Sequence, residues 1–198
     1  MMTIEKLAAQ YPWPDKKPDV DPQDFGWFEP CAERLLSQYI GKDTKMVVEL
    51  GSWLGKSTRW FLKQAPAATV IAIDHWQGSR EHSRFGDEFL KSIYDQFIQN
   101  CWDYRDRLIP IRETTLVGLA LCGGLSPDLV YVDASHDAKS VRADIMCAMS
   151  VFPDALITGD DYTWGPQHKY PVRQAVDSVC CDHGFKLEVD EATWALHR

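Results

Sequence analysis

The chain has 198 residues, with 21 Lys and Arg against 29 Asp and Glu, so its formal net charge is −8. Apolar residues make up 45% and charged residues 25%, which is ordinary globular usage and excludes extended disorder. The acidic balance argues against a protein that binds the nucleic-acid backbone, because such a protein needs a basic surface. No apolar run reaches 18 residues, so we expect no membrane partner.

The first residues, MMTIEKLAAQYPWPD, lack the basic and long apolar segments of a secretory signal. The six cysteines are scattered without a CxxC pair or another zinc-binding spacing. A domain of this size does not need disulfides for stability. We therefore expect reduced thiols and a cytoplasmic location.

The N-terminal part, residues 1–44, is predicted to lie on the substrate side of a main domain over residues 45–198. Residues 1–26 are rich in Pro, Asp and Lys, and their four prolines exclude a continuous helix. We expect an irregular segment there that is ordered by packing on the main domain. From Trp27 to Ile40 apolar residues recur at helical spacing, and Gly41 is the expected C-cap.

Short apolar runs then alternate with helical stretches. The runs cover residues 46–50, 69–73, 107–111, 129–132 and 155–158. The helices between and after them are predicted over residues 57–64, 88–101, 115–122, 138–151 and 172–182. Apolar runs that do not alternate with polar residues are typical of an α/β fold, with a parallel sheet covered on both faces. Two last runs, 185–189 and 193–197, are expected to pair as an antiparallel hairpin.

Acidic residues stand at the carboxyl ends of four of these runs. Glu49 lies near the end of the first run, Asp74 and Asp133 follow the second and fourth, and the pair Asp160–Asp161 follows the fifth. A single Asp in such a place is explained by capping of the next helix. Four strands with the same feature indicate a ligand site, because ligands bind at this edge of open α/β sheets.

The segment from Gly51 to Ser57 leaves the first strand and enters a helix, and two nucleotide classes fit it poorly. It resembles a P-loop, but three residues separate Gly51 from Gly55 where the motif needs four. Glu49 would also repel bound phosphates. The G-x-G-x-x-G fingerprint of dinucleotide-binding folds is absent.

S-adenosylmethionine, which is cationic and has no phosphates, suits the segment better. Glu49 can face its positive charges, and Asp74 lies 19 residues after Gly55, about where a carboxylate accepts ribose hydroxyls in nucleoside-binding folds. Trp76 is suited to stack on the adenine. An ordinary core or surface aromatic is an equally good interpretation of Trp76.

Several motifs together resemble the class I S-adenosylmethionine-dependent methyltransferases, most closely methyltransferase family 24. They are Glu49-Leu50-Gly51-Ser52 with Gly55-Lys56-Ser57, Ile73-Asp74, Val132-Asp133-Ala134-Ser135-His136 and Gly159-Asp160-Asp161-Tyr162. The resemblance implies a Rossmann-like sheet of seven mostly parallel strands with the last strand antiparallel. The predicted cofactor-binding residues are Glu49, Gly51, Ser52, Gly55, Ser57, Asp74, His75, Trp76 and Asp133.

Metal-dependent relatives, among them sugar O-methyltransferases, carry Mg²⁺ ligands after the fourth and fifth strands. The resemblance places Asp133, Asp160 and Asp161 at those positions. Three carboxylates brought together repel one another unless a cation or a proton neutralises them. The alternative is that Asp160 caps a turn and Asp161 is solvated. His136 and Asp133 are the predicted catalytic residues, with a neutral His136 as the base, although a surface or capping histidine is an open alternative.

We therefore expect Mg-assisted O-methylation of a small hydroxylated substrate, such as a sugar, a phenol or a natural product. The polar stretch 74–95 and the loop 163–171 are expected to cover the cofactor or the substrate. Two alternatives stay open: a non-catalytic S-adenosylmethionine-binding protein of the same fold, and a P-loop-like nucleotide-binding protein. A homo-oligomer is compatible with the sequence.

Overall fold

The computed structural model describes residues 2–198, and its centre is one seven-stranded sheet. The strands are β1 (Met46–Leu50), β2 (Thr69–Ile73), β3 (Leu108–Ile111), β4 (Leu129–Val132), β5 (Leu156–Gly159), β6 (Lys186–Asp190) and β7 (Thr193–His197). Their order across the sheet is β3-β2-β1-β4-β5-β7-β6. Strands β1 to β5 are parallel, whereas β7 pairs antiparallel with both β5 and β6. The predicted sheet and its C-terminal hairpin are confirmed.

Seven α-helices accompany the sheet in the described part of the chain. They are α1 (Ile4–Gln10), α2 (Pro30–Leu36), α3 (Lys56–Gln64), α4 (Asp87–Cys101), α5 (Thr115–Leu121), α6 (Ala138–Val151) and α7 (Pro171–His183). Three short 3₁₀ helices cover Arg80–Phe85, Trp102–Arg107 and Pro166–His168. Within residues 2–198, no helix has the length and apolar character that a membrane crossing requires.

The helices bury both faces of the sheet, which explains why the central strands are mostly apolar. In β1, Val47 packs in a core with Phe61 of α3 and Phe97 of α4, whereas Val48 packs in the opposite core with Ile145 of α6. Successive side chains of a strand point to opposite faces. Each strand therefore needs apolar side chains in both directions.

The topology brings the strand-end acids to one crevice. The chain adds β2 and β3 on one side of β1 and then returns to place β4 on the other side, so the crevice opens at the carboxyl ends of β1 and β4. Asp74, Asp133 and Asp160 each donate a backbone N–H to the carbonyl oxygen at the end of a neighbouring strand, at 2.8 to 3.2 Å. The sheet ladder therefore fixes the backbone of these acids.

The N-terminal region differs from the prediction in two places. Residues Ile4–Gln10 form the helix α1, whose Leu7 is fully buried. The helix can form because the first proline of the chain comes only at position 12, after the helix has ended. Helix α2 is shorter than predicted: it begins at Pro30, a residue favoured in the first turn, and Ser37 is its C-cap in place of Gly41. Met1 lies outside the described residues.

Residues 12–29 form an extended segment that we call the strap. It passes the edge strand β3, where Trp13 Nε1 donates to the carbonyl oxygen of Leu108 at 2.7 Å. It then lies along α4, where Asn100 Nδ2 donates to the carbonyl oxygen of Gln23 at 2.8 Å. The strap therefore connects α1, on one face of the sheet, to α2 on the other.

Gly51, the first residue after β1, has no space for a side chain. Its φ is +87°, and a Cβ atom would lie 2.0 Å from the carbonyl oxygen of Asp133. We expect Gly51→Ala to lower the free energy of unfolding by clearly more than the 1–2 kcal/mol, roughly, that a left-handed backbone costs an L-residue. Gly184→Ala is the matched control in urea denaturation, because Gly184 has φ +72° and nothing within 4 Å. Equal losses in the two variants would contradict the contact.

Asp144 of α6 is a buried acid outside the crevice, and it gives a prediction about pH. Thr115 donates to its carboxylate at 2.5 Å, but burial dominates and raises its pKa to about 6. The folded state therefore binds this proton more tightly than the unfolded chain, whose Asp pKa is about 3.9, and stability falls as pH rises between the two values.

We expect the stability of Asp144→Asn, relative to that of the unsubstituted protein, to rise with pH across this window and then to level off. Urea denaturation from pH 4 to 7 measures the difference. The exposed Asp154→Asn is the control. A pH-independent difference for Asp144→Asn would refute the assignment.

Candidate functional site

A cavity of about 390 Å³ lies at the carboxyl ends of the parallel strands. The glycine loop after β1 forms one wall with Gly51, Ser52 and Trp53. Asp74, Asp133 and Asp161 reach it from three strand ends; the strap, the 3₁₀ helix Arg80–Phe85 and the loop after β5 complete it. Of the predicted site residues, Gly51, Ser52, Ser57, Asp74, Asp133, His136 and Asp161 lie on its wall.

The carboxylate of Glu49 lies beneath the glycine loop. It is fully buried and accepts hydrogen bonds from the hydroxyls of Ser52 at 2.7 Å, Ser57 at 2.5 Å and Thr58 at 2.5 Å. Burial raises the pKa of Glu49, and the three hydroxyls oppose that rise. Glu49 was predicted to contact a cofactor, but the structure places it outside the cavity wall, where its carboxylate holds the loop from below.

Gly55, the N-cap of α3, has a packing role. Its φ is +81°, and a Cβ atom would lie 2.5 Å from Sγ of Cys101 on α4. Gly55 is not on the cavity wall, in contrast to its predicted place among the cofactor-binding residues. The missing side chain lets the start of α3 approach α4.

Asp74 connects the loop to the end of β2 and also faces the cavity. Its Oδ2 accepts the backbone N–H groups of Ser52 and Trp53 at 3.1 and 3.0 Å, and its Oδ1 accepts that of Trp76 at 2.7 Å. Each carboxylate oxygen has two lone pairs, so Oδ1 keeps one acceptor site beyond these bonds. Asp74 is therefore equipped to hold the loop and to accept a ligand hydroxyl.

Trp76 and His75 do not line the cavity. Trp76 is 1% exposed; its ring packs 4.7 Å from that of Phe97, and its Nε1 donates to the carbonyl oxygen of Trp53 at 2.8 Å. Trp76 was predicted to stack on an adenine, but the structure places it as a core aromatic outside the cavity wall. The side chain of His75 is 44% exposed and accepts the backbone N–H of Gln77. His75 was predicted to contact the cofactor, but it is not among the residues that line the cavity.

The acids Asp160 and Asp161 point in different directions. Asp160 is buried, and its carboxylate accepts hydrogen bonds from the hydroxyls of Tyr131 at 3.2 Å and Thr193 at 3.1 Å. Asp161 has φ +65°, so the chain turns there and presents its carboxylate to the cavity. Burial raises the pKa of Asp160 to about 6. Both acids were predicted as metal ligands, but the structure directs the carboxylate of Asp160 to core hydroxyls and only that of Asp161 to the cavity.

Asp133, His136 and Asp161 form the one group in the described part of the chain that could hold a metal ion. One ligand atom from each lies within 4.8 Å of the others. Burial, and then the charges of the neighbouring acids, raise the pKa of Asp133 well above its usual range. The group therefore favours a proton or a cation in its centre. His136 was predicted as a catalytic base, and the structure makes it a member of this group as well.

His136 bridges two carboxylates. Its Nε2 lies 2.7 Å from Oδ2 of Asp161, and its Nδ1 lies 2.8 Å from Oε2 of Glu81. Burial lowers the pKa of His136, but the hydrogen bonds and charges of the two carboxylates outweigh it and raise the pKa to about 9. At neutral pH the ring therefore carries both protons. The predicted neutral base is not the form that this arrangement stabilises.

Sequence reasoning did not identify the aromatic wall of the cavity. The ring of His82 stacks on that of Trp53, with centroids 4.3 Å apart, and on that of Trp27 at 5.8 Å. Trp27 is 49% exposed at the cavity. The ring of His82 is more buried, and this burial lowers its pKa. The length of the polar stretch 74–95 predicted that this stretch covers the cofactor or the substrate, but it did not identify the aromatic rings.

The loop after β5 supplies the facing wall, as its composition predicted. Trp164 lies 4.4 Å from the ring of His136 and 5.8 Å from that of His168, with which it stacks at an interplanar angle of 22°. Trp164 and His168 both line the cavity. The site therefore has an acidic floor between two groups of aromatic rings.

The fold recurs in solved structures of low sequence identity. The O-methyltransferase TomG from Streptomyces achromogenes, solved with S-adenosylmethionine, has a TM-score of 0.58 at 14% identity, covering 82% of this chain and 75% of TomG. Cofactor-bound Rv0187 from MTB has a TM-score of 0.59 at 19% identity, covering 96% and 84%. Aeropyrum pernix fibrillarin with bound S-adenosyl-L-methionine has a TM-score of 0.52 at 12% identity, covering 80% and 67%.

A search of curated proteins finds no match. The sequence does match one family model. The model of methyltransferase family 24, described as a methyltransferase domain, matches residues 48–162. The matched segment is more than half of the chain and runs from β1 through the acidic pair after β5. This chain therefore belongs to methyltransferase family 24 and has the class I methyltransferase fold that its motifs resemble.

Proposed function

We propose that this chain transfers the methyl group of S-adenosylmethionine to a hydroxyl oxygen of a small substrate, with the assistance of a divalent cation. The observation that carries the proposal is the acidic floor of the cavity, where Asp74, Asp133 and Asp161 meet from three strand ends. A volume of about 390 Å³ lies within the usual range for small-ligand sites.

The walls suit a cationic cofactor that also has a carboxylate. Asp74 offers an acceptor site for ribose hydroxyls, and the acids of the floor provide a negative field for a positively charged sulfur. Helix α3 begins at the loop without a side-chain cap, so its first N–H groups are free to bind a carboxylate. Ser57 lines the cavity near this helix start, although its hydroxyl is committed to Glu49.

The residues present fit a divalent cation. Asp133 and Asp161 offer carboxylate oxygens, which Mg²⁺ prefers, and His136 offers a nitrogen that also suits transition ions. Such an ion, when bound, would lower the pKa of a substrate hydroxyl. Asp160 does not take part in this proposal, because its carboxylate is held by Tyr131 and Thr193.

Where Asp133 and Asp161 hold the cation, His136 is the group placed to handle the proton of a substrate hydroxyl. His136 must first release the proton on Nε2, because only a neutral ring accepts another. Positive charge near Asp133 and Asp161 would favour that release, since like charges repel. The remaining task of the site is to place the hydroxyl oxygen in line with the methyl group, and such positioning accounts for much of the catalysis in a displacement reaction.

Two alternatives differ in what they predict. A non-catalytic protein of the same fold would bind the cofactor without forming a methylated product. A nucleoside triphosphate is disfavoured by the acidic floor, because three carboxylates would face its phosphates. Product formation from isotope-labelled S-adenosylmethionine and a panel of sugars and phenols separates catalysis from binding alone.

The role of Asp74 is tested by calorimetric titration of Asp74→Ala with S-adenosylmethionine. We expect the affinity to fall by about 10-fold to 100-fold, because a hydrogen bond to a charged group contributes roughly 1.5–3 kcal/mol. Asp154→Ala, an exposed substitution near β5, is the control and should bind normally. An affinity of Asp74→Ala equal to that of the control would count against the cofactor site.

The metal assignment is tested by comparing the two adjacent acids. We expect Asp161→Asn to weaken Mn²⁺ binding by about tenfold or more, because it removes a charged ligand. Asp160→Asn should retain nearly all of the affinity, since its carboxylate faces Tyr131 and Thr193. Titration followed by electron paramagnetic resonance measures both variants. An effect at Asp160 as large as that at Asp161 would contradict this assignment and favour the ligand set predicted from sequence, which includes both acids.

A further inference from the structure

The 3₁₀ helix Arg80–Phe85, which we call the lid helix, connects two parts of the cavity wall. It lies between β2 and α4 and places two consecutive side chains against different elements. Oε2 of Glu81 lies 2.8 Å from Nδ1 of His136, while the ring of His82 stacks 4.3 Å from that of Trp53 in the glycine loop. The lid helix therefore contacts the histidine beside the acidic floor and the glycine loop at once.

The start of the lid helix is fixed by its own hydrogen bonds. The backbone N–H of Ser79 donates to Nδ1 of His82 at 3.0 Å, and the two side chains lie 3.1 Å apart. At the other end, the N–H of Gly86 donates to the carbonyl oxygen of Ser83 at 3.2 Å. The position of Glu81 therefore follows from a defined turn that is anchored on Trp53 through His82.

The contact with Glu81 determines how the ring of His136 lies. With Nδ1 on Glu81, the opposite nitrogen, Nε2, is directed to Asp161 at 2.7 Å. Trp164 packs on the ring at 4.4 Å. A carboxylate on the outer nitrogen of a site histidine fixes which nitrogen faces the metal or the substrate.

Stability does not explain this pair. The side chain of Glu81 is 47% exposed and that of His136 is 23% exposed. Ion pairs with such exposure contribute little to folding. Its placement at the cavity points to a local function.

We propose that Glu81 is a positioning residue, which holds the imidazole of His136 so that Nε2 faces Asp161 and Asp133. The contact itself does not depend on the proposed function, but its consequence for a bound cation rests on it. Outer partners of this kind typically change metal affinity or activity by about 10-fold to 100-fold when they are removed. Glu81→Ala should therefore weaken the site without unfolding the protein.

The hydrogen bond is measured by NMR on protein with ¹⁵N-labelled histidine. We expect a downfield Nδ1–H proton, assigned to His136 because it disappears in His136→Ala. It should be lost in Glu81→Ala and retained in Glu81→Gln, whose amide oxygen still accepts. Glu88→Gln, an exposed substitution in the first turn of α4, is the matched control and should leave the signal unchanged. Persistence of the signal in Glu81→Ala would overturn the proposal.

Mn²⁺ titration of the same variants measures the consequence. We expect Glu81→Ala to weaken Mn²⁺ binding by about tenfold or more, with Glu81→Gln restoring most of the affinity. Equal affinities in Glu81→Ala and Glu88→Gln would also overturn the proposal. Neither measurement requires methyl transfer, so an absence of turnover in the unsubstituted protein would count against the proposed function alone.

Discussion

The buried carboxylate of Glu49 is the constraint on which the cavity depends. A charge without solvent is costly unless it is hydrogen-bonded, and here three hydroxyls satisfy it, those of Ser52, Ser57 and Thr58. Ser52 belongs to the glycine loop and the other two to the first turn of α3, so one side chain of β1 fixes both elements. Asp74 completes the restraint from β2 by accepting two backbone N–H groups of the loop. The loop is therefore shaped before any ligand arrives, which lowers the entropic cost of binding.

Most of the fold follows from periodicity in the sequence. Buried parallel strands need apolar side chains on both faces, so β1, β2 and β4 stand out as short, mostly apolar runs with the predicted bounds. The N-terminal helix α1 was not predicted because the prolines from position 12 onwards dominated the interpretation of that region. Its stability comes from burying Leu7 on the sheet. Such tertiary packing has no local signature in a helix of two turns.

The site was predicted in position but less well in side-chain direction. Strand ends locate the acids to one edge of the sheet, and the three that face the cavity were all named from sequence. The direction of each side chain depends on details that spacing does not carry. Asp160 turns into the core because hydroxyls from β4 and β7 lie there, and Asp161 turns to the cavity because its backbone is left-handed. Trp76 is buried because α4 supplies Phe97 beneath it. The role of Glu81 depends on a contact between residues 55 positions apart.

The chain has a formal net charge of −8, and part of this excess of acidic residues is concentrated in the floor of the cavity, at Asp74, Asp133 and Asp161. We propose that a floor of this kind favours a cationic nucleoside over a polyphosphate. Parallel calorimetric titrations of the unsubstituted protein with S-adenosylmethionine and with ATP test this selection most directly. We predict saturable binding of S-adenosylmethionine and no measurable binding of ATP. Binding of ATP without binding of S-adenosylmethionine would contradict the account.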